Sequence, residues 1–301
     1  MKDKLSFNFV VFLLGICFAV SCKNKTGSVL QEKTNSDSLF VSLYTRLSEP
    51  EPGDWIAEHP EPSQSIDAYI NSSPAVPDSL RKFIYLVPLD QFDSVELSLI
   101  NITAEYLRAV LDLPVKIKTG ISIDDIPSDK KRNGQLNSGY ILHDLLIKNL
   151  PDDAVGMMAI TSSDLYPDDD WNFVFGEANT RERVGVSSFY RYGDASESDS
   201  AFNLCLRRLM GTTSHEFLHM LSMQHCKTYA CVLNGSNSLQ ESDKKPLLIC
   251  PLCLEKLNFA LNENPSDYFR RLSFFYNKYG FSKELEFCEN GFHIFQKIYN
   301  E

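Results

Sequence analysis

Thr213-Ser214-His215-Glu216-Phe217-Leu218-His219-Met220-Leu221-Ser222-Met223-Gln224-His225-Cys226 closes a long helical pattern that runs from Asp199 to Met223. His215 and His219 stand four residues apart, so on a helix both imidazoles project from one face, about one turn apart. Their ring nitrogens can then both reach a Zn²⁺ at roughly 2.0–2.1 Å. Glu216 is rotated off that line and lies beside the open coordination position, where it can deprotonate a water whose pKa the zinc lowers to about 7. His225 follows His219 by six residues, too far to share the helix face. It reaches the same metal only if the helix ends and the chain turns back near Ser222. Three histidines leave the fourth position open for water, the arrangement of a catalytic zinc rather than a structural one. H-E-x-x-H alone arises by chance on many helices, and the third histidine is what gives the reading its force.

Cysteines follow at once. Cys226 adjoins His225, Cys231 comes after four intervening residues, and Cys250-Pro251-Leu252-Cys253 supplies a C-x-x-C pair. Four thiolates in two close pairs suit a closed tetrahedral Zn²⁺ site. In an oxidising compartment the same four could instead form two disulfides, although C-x-x-C spacing is more natural for metal. Cys205 and Cys288 stand outside the pattern and read as structural.

From His215 to His225 the array H-E-x-x-H-x-x-S-x-x-H resembles the metzincin signature, departing only at Ser222, where that signature has glycine. With the cysteines added, the chain resembles the archaemetzincins (archaelysins), whose signature runs through H-C and C-x-M to C-x-x-C. Ser163-Asp164-Leu165-Tyr166 and Asn172-Phe173-Val174-Phe175-Gly176-Glu177-Ala178 look like that family's D-L-Y and N-F-V-F-G-x-A segments. Gly53-Asp54-Trp55-Ile56-Ala57-Glu58-His59-Pro60 is similar to a stretch in the animal branch. The likeness spans residues 50 to 260 or so and is most specific in its metal motifs.

The resemblance implies a zinc metallopeptidase with an α+β catalytic domain: a metzincin-like mixed sheet, an active-site helix and a C-terminal zinc-stabilised helical segment. It implies two Zn²⁺ per chain. One is catalytic, on His215, His219 and His225 with Glu216 as general base; the other is structural, on Cys226, Cys231, Cys250 and Cys253. It also implies that an Asn172–Gly176 strand borders the cleft, where an extended peptide could pair through main-chain hydrogen bonds. At Ser222, a backbone that needs positive φ would cost a serine about 1–2 kcal/mol. Leu233 stands where the family has a methionine packed beneath the ligands, a volume-conserving exchange. Neither departure removes a ligand or the base.

The first residues read as a targeting segment. Lys2 and Lys4 precede an apolar run from Phe9 to Val20, shorter than the roughly 20 residues of a membrane span. Ala19-Val20-Ser21-Cys22 resembles a bacterial lipobox, with alanine where leucine is usual; an ordinary secretory signal is the alternative. The expected organisation is a signal peptide over 1–21, a polar tether over 22–38 and a catalytic domain over 39–301 that includes the cysteine subsite 226–253. Cys22 would carry the lipid and hold the protein to the bacterial cell envelope, on its periplasmic or surface face.

Within the domain, Leu39 to Tyr69 is broken by Pro50, Pro52, Pro60 and Pro62 and reads as an irregular layer. Strands are expected at 83–88, 115–118, 155–160, 172–175 and 184–189, and helices at 94–111, 140–148 and 199–223. His143, on the second of these helices, reads as a surface or satisfied histidine rather than a ligand. The tail holds an amphipathic helix from Tyr268 to Tyr279, ended by Gly280. With 29 Lys+Arg against 40 Asp+Glu, the net charge of -11 disfavours nucleic acid as a partner. The expected partner is a peptide or protein substrate, met by a monomer. A non-catalytic zinc-binding envelope protein that docks a partner is the competing class, and retention of Glu216, which metal binding does not need, argues against it.

Overall fold

A computed structural model describes residues 40–299. The signal peptide, the tether and Cys22 lie outside the described residues. The fold is α+β, built on a five-stranded mixed sheet in the order β2-β1-β5-β8-β7. These strands are β1 (Phe83–Pro88), β2 (Val115–Ile117), β5 (Ala154–Thr161), β7 (Gly176–Asn179) and β8 (Val184–Ser188). Neighbours are parallel except β7, which runs antiparallel to β8 along the sheet edge. A smaller sheet joins β3 (Lys131–Arg132), β4 (Gln135–Asn137) and β6 (Asp164–Tyr166).

Strands β1 and β5 are apolar almost without interruption because both faces of the sheet are covered. Along β1, Ile84 and Leu86 face one core while Tyr85 and Val87 face the other. The first core fills the space beneath helices Ser94–Leu111, Asp199–Met220 and Pro265–Tyr279. The second is closed by Ile141, Leu142 and Leu146 of the helical segment 138–149. His143 in that segment is exposed, as its sequence context suggested. Helix Ser94–Leu111 starts on a full capping box in which Asp93 accepts from the Glu96 backbone N–H and Glu96 accepts from that of Asp93. Gly280 ends helix Pro265–Tyr279 in the left-handed conformation.

Three expectations are corrected. Asn172 to Phe175 is not a strand of its own: Val174 makes one bridge to Leu165 of the small sheet, and the edge strand begins at Gly176. The aromatic, β-branched composition marked the segment correctly as extended. Its pairing is split, with Val174 N–H donating to the Leu165 carbonyl and Phe175 carbonyl accepting from Ser188 N–H. The long helix ends at Met220, not Met223, because Ser222 is left-handed at φ 67° and turns the chain back. The proline-rich layer is irregular for most of its length but includes the short helices Trp55–Glu58 and Ile66–Asn71. Helices Pro251–Leu261 and Ser282–Tyr299 lie in the expected C-terminal helical region, although the bounds of neither were legible in the sequence.

Candidate metal centre

His215 and His219 occupy the last turns of helix Asp199–Met220, and the Ser222 turn brings His225 back beside them. The Nε2 atoms of His219 and His215 are 3.0 Å apart, and those of His219 and His225 are 3.2 Å apart. Tetrahedral ligands each about 2.05 Å from a zinc would stand about 3.3 Å from one another. Each ring is oriented from behind. Nδ1 of His215 lies 2.8 Å from the Val232 carbonyl, Nδ1 of His219 lies 2.6 Å from the Met223 carbonyl, and Nδ1 of His225 lies 2.7 Å from Glu61 Oε1. Acceptors at all three Nδ1 atoms place the ring hydrogens there and leave the Nε2 lone pairs facing one point. Burial pushes His219 and His225 down to about 4 and His215 well below its ordinary range, so the rings are neutral at pH 7. Neutral, converging and anchored imidazoles fit a zinc ion.

The proline-rich layer secures the turn that carries the third histidine. Gln64 Nε2 donates to the Ser222 carbonyl at 3.0 Å, and Gln64 Oε1 accepts from Gln224 N–H at 3.1 Å. Tyr69 Oη donates to the Leu221 carbonyl at 2.7 Å. Ser222 Oγ accepts from Ala75 N–H at 3.0 Å, so the serine offsets part of its backbone strain with a bond that glycine could not make. Trp55 packs over His225 with ring centroids 4.2 Å apart. Gly235 is what lets the indole lie there, since a Cβ at that position would stand 2.3 Å from the ring.

A cleft of about 940 Å³ opens in front of the histidines. Its walls include the edge segment Asn172 to Ala178, the Trp55 layer and Lys245. Glu216 is buried beside the histidines and accepts no hydrogen bond among the described residues, leaving its carboxylate free toward the cleft. Burial raises its pKa to about 8, opposed by the charge of Lys245. Gly176 of β7 clears the space beside it, since a Cβ there would lie 3.1 Å from Glu216 Oε1 and 2.9 Å from Thr212.

Behind the histidines the four predicted cysteines also converge. The Sγ atoms of Cys226, Cys231, Cys250 and Cys253 all lie within 4.8 Å of one another, and all four are buried. Cys226 and Cys250 sulfurs are 3.5 Å apart, far from the roughly 2.05 Å of a disulfide and close to the roughly 3.8 Å edge of a tetrahedral zinc–thiolate site. All four are free thiols, so the disulfide alternative is not what this arrangement holds. Hydrogen bonds from Cys231, Cys250 and Cys253 hold the Cys226 thiol far below the ordinary thiol range, so a thiolate forms readily here. Asn234 ties the loop together: Oδ1 accepts from Cys231 N–H, while Nδ2 donates to the Cys226 and Tyr229 carbonyls. Cys205 and Cys288 are buried elsewhere in the core.

Residues 136–259 match the family model described as peptidase family M54. Archaemetzincin-2 of Mus musculus is 31% identical over 271 residues, covering 77% of this chain and 74% of that protein. The chain belongs to the archaemetzincin family. Archaemetzincin-2 of Homo sapiens is 30% identical over 260 residues, covering 73% of this chain and 71% of that protein. The solved archaemetzincin of Methanopyrus kandleri superposes with a TM-score of 0.52 at 27% identity, covering 62% of this chain and 99% of its own.

Archaemetzincins are zinc-dependent peptidases that act on peptides or proteins. In this member the histidines, the glutamate and the cysteines singled out in the sequence fall into two clusters that touch through the chain itself. His225 precedes Cys226, and Val232, whose carbonyl orients His215, follows Cys231. Sequence reasoning did not find Glu61, Gln64, Asn234 or Lys245. Glu61 lies 164 residues before His225, and no local periodicity links the two. The only available signal was the Gly53 to Pro60 similarity, which ends one residue short of it.

Proposed function

We propose that this chain is an exported metzincin-type zinc peptidase, with His215, His219 and His225 holding a catalytic zinc and Glu216 serving as general base. Cys226, Cys231, Cys250 and Cys253 hold a second, structural zinc. The supporting observation is the convergence of three Nε2 atoms, each ring anchored through Nδ1, beside a carboxylate that accepts no hydrogen bond among the described residues. When bound, zinc supplies Lewis-acid polarisation of a scissile carbonyl and lowers the pKa of water toward neutrality.

The chain's own groups do the rest. An extended peptide adds to the free side of β7, which pairs with β8 on its other side, and main-chain hydrogen bonds set its register. Glu216 accepts a proton from the attacking water and returns it to the departing amine. Burial, opposed by the charge of Lys245, would keep Glu216 protonated up to about 8. A positive charge in the histidine cage favours its ionised form and moves it toward the range a base needs at neutral pH. The missing side chain at Gly176 keeps the space beside the Glu216 carboxylate open.

The leader adds a location. Cleavage before Cys22 and lipidation of its thiol would place the cleft outside the cytoplasm at the bacterial envelope; a Cys22→Ala form should then leave the membrane fraction. The function itself is tested with purified residues 23–301. The expected result is two zincs per chain in both wild type and Glu216→Ala. Cleavage of a peptide library by the wild type should fall by about 10²–10⁴-fold in the variant. Two zincs in each protein with no cleavage by either would defeat the peptidase reading.

A further inference from the structure

Lys245 alone, among the Lys and Arg side chains of the described residues, lines the cleft in front of the histidines. Its ammonium donates to the Asn234 carbonyl at 2.9 Å and to Ser236 Oγ at 3.0 Å. Both acceptors are neutral. An ammonium has three N–H donors, so one is left over, and among the described residues no carboxylate hydrogen-bonds to it, Glu216 and Glu241 acting on its charge only through space. Taking a cation partly out of water without a counter-charge is unfavourable.

Of the carboxylates that act on Lys245, Glu241 accepts from the Trp55 and Asn237 N–H groups, and Glu216 is the base proposed above. Glu61 accepts from His225, and Glu177 accepts from Ser138 Oγ. Arg132, Arg191 and Arg208 pair with Asp169, Asp164 and Asp243. Lys245 is also held in place. Its acceptor Asn234 is the residue whose side chain ties Cys226, Tyr229 and Cys231 together, so the ammonium is fixed relative to the metal centre.

We propose that Lys245 is a specificity residue that binds a carboxylate of the peptide substrate, either an acidic side chain or the free C-terminus, close to the bond being cut. The proposal rests on the peptidase reading above. A carboxylate arriving with the substrate fills the remaining donor and neutralises the charge as a charge-assisted hydrogen bond. The isosteric amide can accept from that donor but leaves the charge of a partly desolvated ammonium uncompensated, which is what separates the two substrates.

The test uses the full-length, zinc-loaded protein and quenched fluorescent peptides in matched pairs. One series exchanges Glu for Gln at each position around the scissile bond with amidated ends; the other compares free with amidated C-termini. The wild type is expected to prefer the carboxylate member of one pair by about tenfold or more in kcat/KM, chiefly through KM. A side-chain source gives the Glu preference with amidated ends, and a C-terminal source gives a free-acid preference whatever the last residue. Lys245→Met should collapse that ratio to near one, while Lys245→Arg should keep most of it; Lys245→Gln replaces the Met variant if that fails to fold. A wild-type ratio near one in every pair, or a ratio that survives loss of the charge, overturns the proposal. If no peptide is cut at all, the peptidase reading is what fails. Calorimetric binding of the same pairs to Glu216→Gln protein then decides Lys245 separately, since a carboxylate preference lost in the Lys245→Met background sustains the proposal and equal binding overturns it.

Discussion

Glu61 Oε1 sits 2.7 Å from His225 Nδ1, joining two residues 164 positions apart in the chain. The contact fixes the third ring of the cage from an irregular, proline-flanked segment rather than from the helix that carries the first two. It makes the layer of residues 50 to 75 part of the metal centre, because Gln64, Tyr69 and Ala75 bond the same returning turn.

Removing that carboxylate should weaken the histidine site without unfolding the domain. Glu61→Ala is expected to lower zinc affinity there by about 10–100-fold, the usual effect of losing a group that orients a ligand. Competition titration against a chromophoric chelator reads it. Unchanged affinity would mean that His225 is held by Trp55 and the turn alone.

Ser222 offers a sharper comparison. Ser222→Gly should relieve about 1–2 kcal/mol of left-handed strain and lose a hydrogen bond worth about 0.5–1.5 kcal/mol, leaving stability within about 1 kcal/mol of wild type. Ser222→Ala keeps the strain and loses the bond to Ala75, so it should be about 1 kcal/mol less stable than wild type. Denaturant unfolding of the three proteins gives the order, and an alanine form as stable as serine would remove the compensation argument.

Much of this centre was legible in the sequence. The spacing of His215, His219 and His225 placed three rings on one point, and the positive φ suspected at Ser222 is present at 67°. Leu233 is fully buried in the core, as a packing substitute for methionine should be. The strand signals at 83–88 and 155–160 were plain because strands covered on two faces read as nearly unbroken apolar runs. What stayed hidden was either long-range or context-dependent. Glu61 and Lys245 carry no local pattern, since their roles come from contacts made only after folding. The split pairing of residues 172–175 cannot be read from composition, which reports extended backbone and not its neighbour.

The cleft groups set a pH dependence for the metal-free protein. His219 and His225 are pushed down to about 4 and His215 lower still, against an unfolded value near 6.5. As pH falls below about 6.5 the unfolded chain takes up these protons and the folded one does not, so stability is lost on acidification. Glu216, raised to about 8, works in the opposite sense, binding a proton in the folded state that the unfolded chain has released above its ordinary carboxylate range. The four groups together should give a net slope that grows from about half a proton near pH 6.5 to about two near pH 5, or roughly 0.7 rising to 2.7 kcal/mol per pH unit. Urea unfolding of chelator-treated protein across that range measures it; a flat profile would contradict the burial assigned to the histidines.

Cys250→Ser tests whether the two clusters depend on each other. Zinc content should fall from two to one or fewer per chain as the thiolate site loses a ligand. Because Cys226 adjoins His225 and Cys231 adjoins Val232, the histidine site should also bind zinc more weakly than in wild type. A histidine site of unchanged affinity would show that the clusters are independent.

Anomalous diffraction from crystals of the purified protein, collected on both sides of the zinc absorption edge, addresses the central claim directly. Two zinc peaks are expected, one about 2.0–2.1 Å from the Nε2 atoms of His215, His219 and His225, the other about 2.3 Å from the four cysteine sulfurs. No zinc peak among the three histidines, with their Nε2 atoms turned away from a common point, would contradict it.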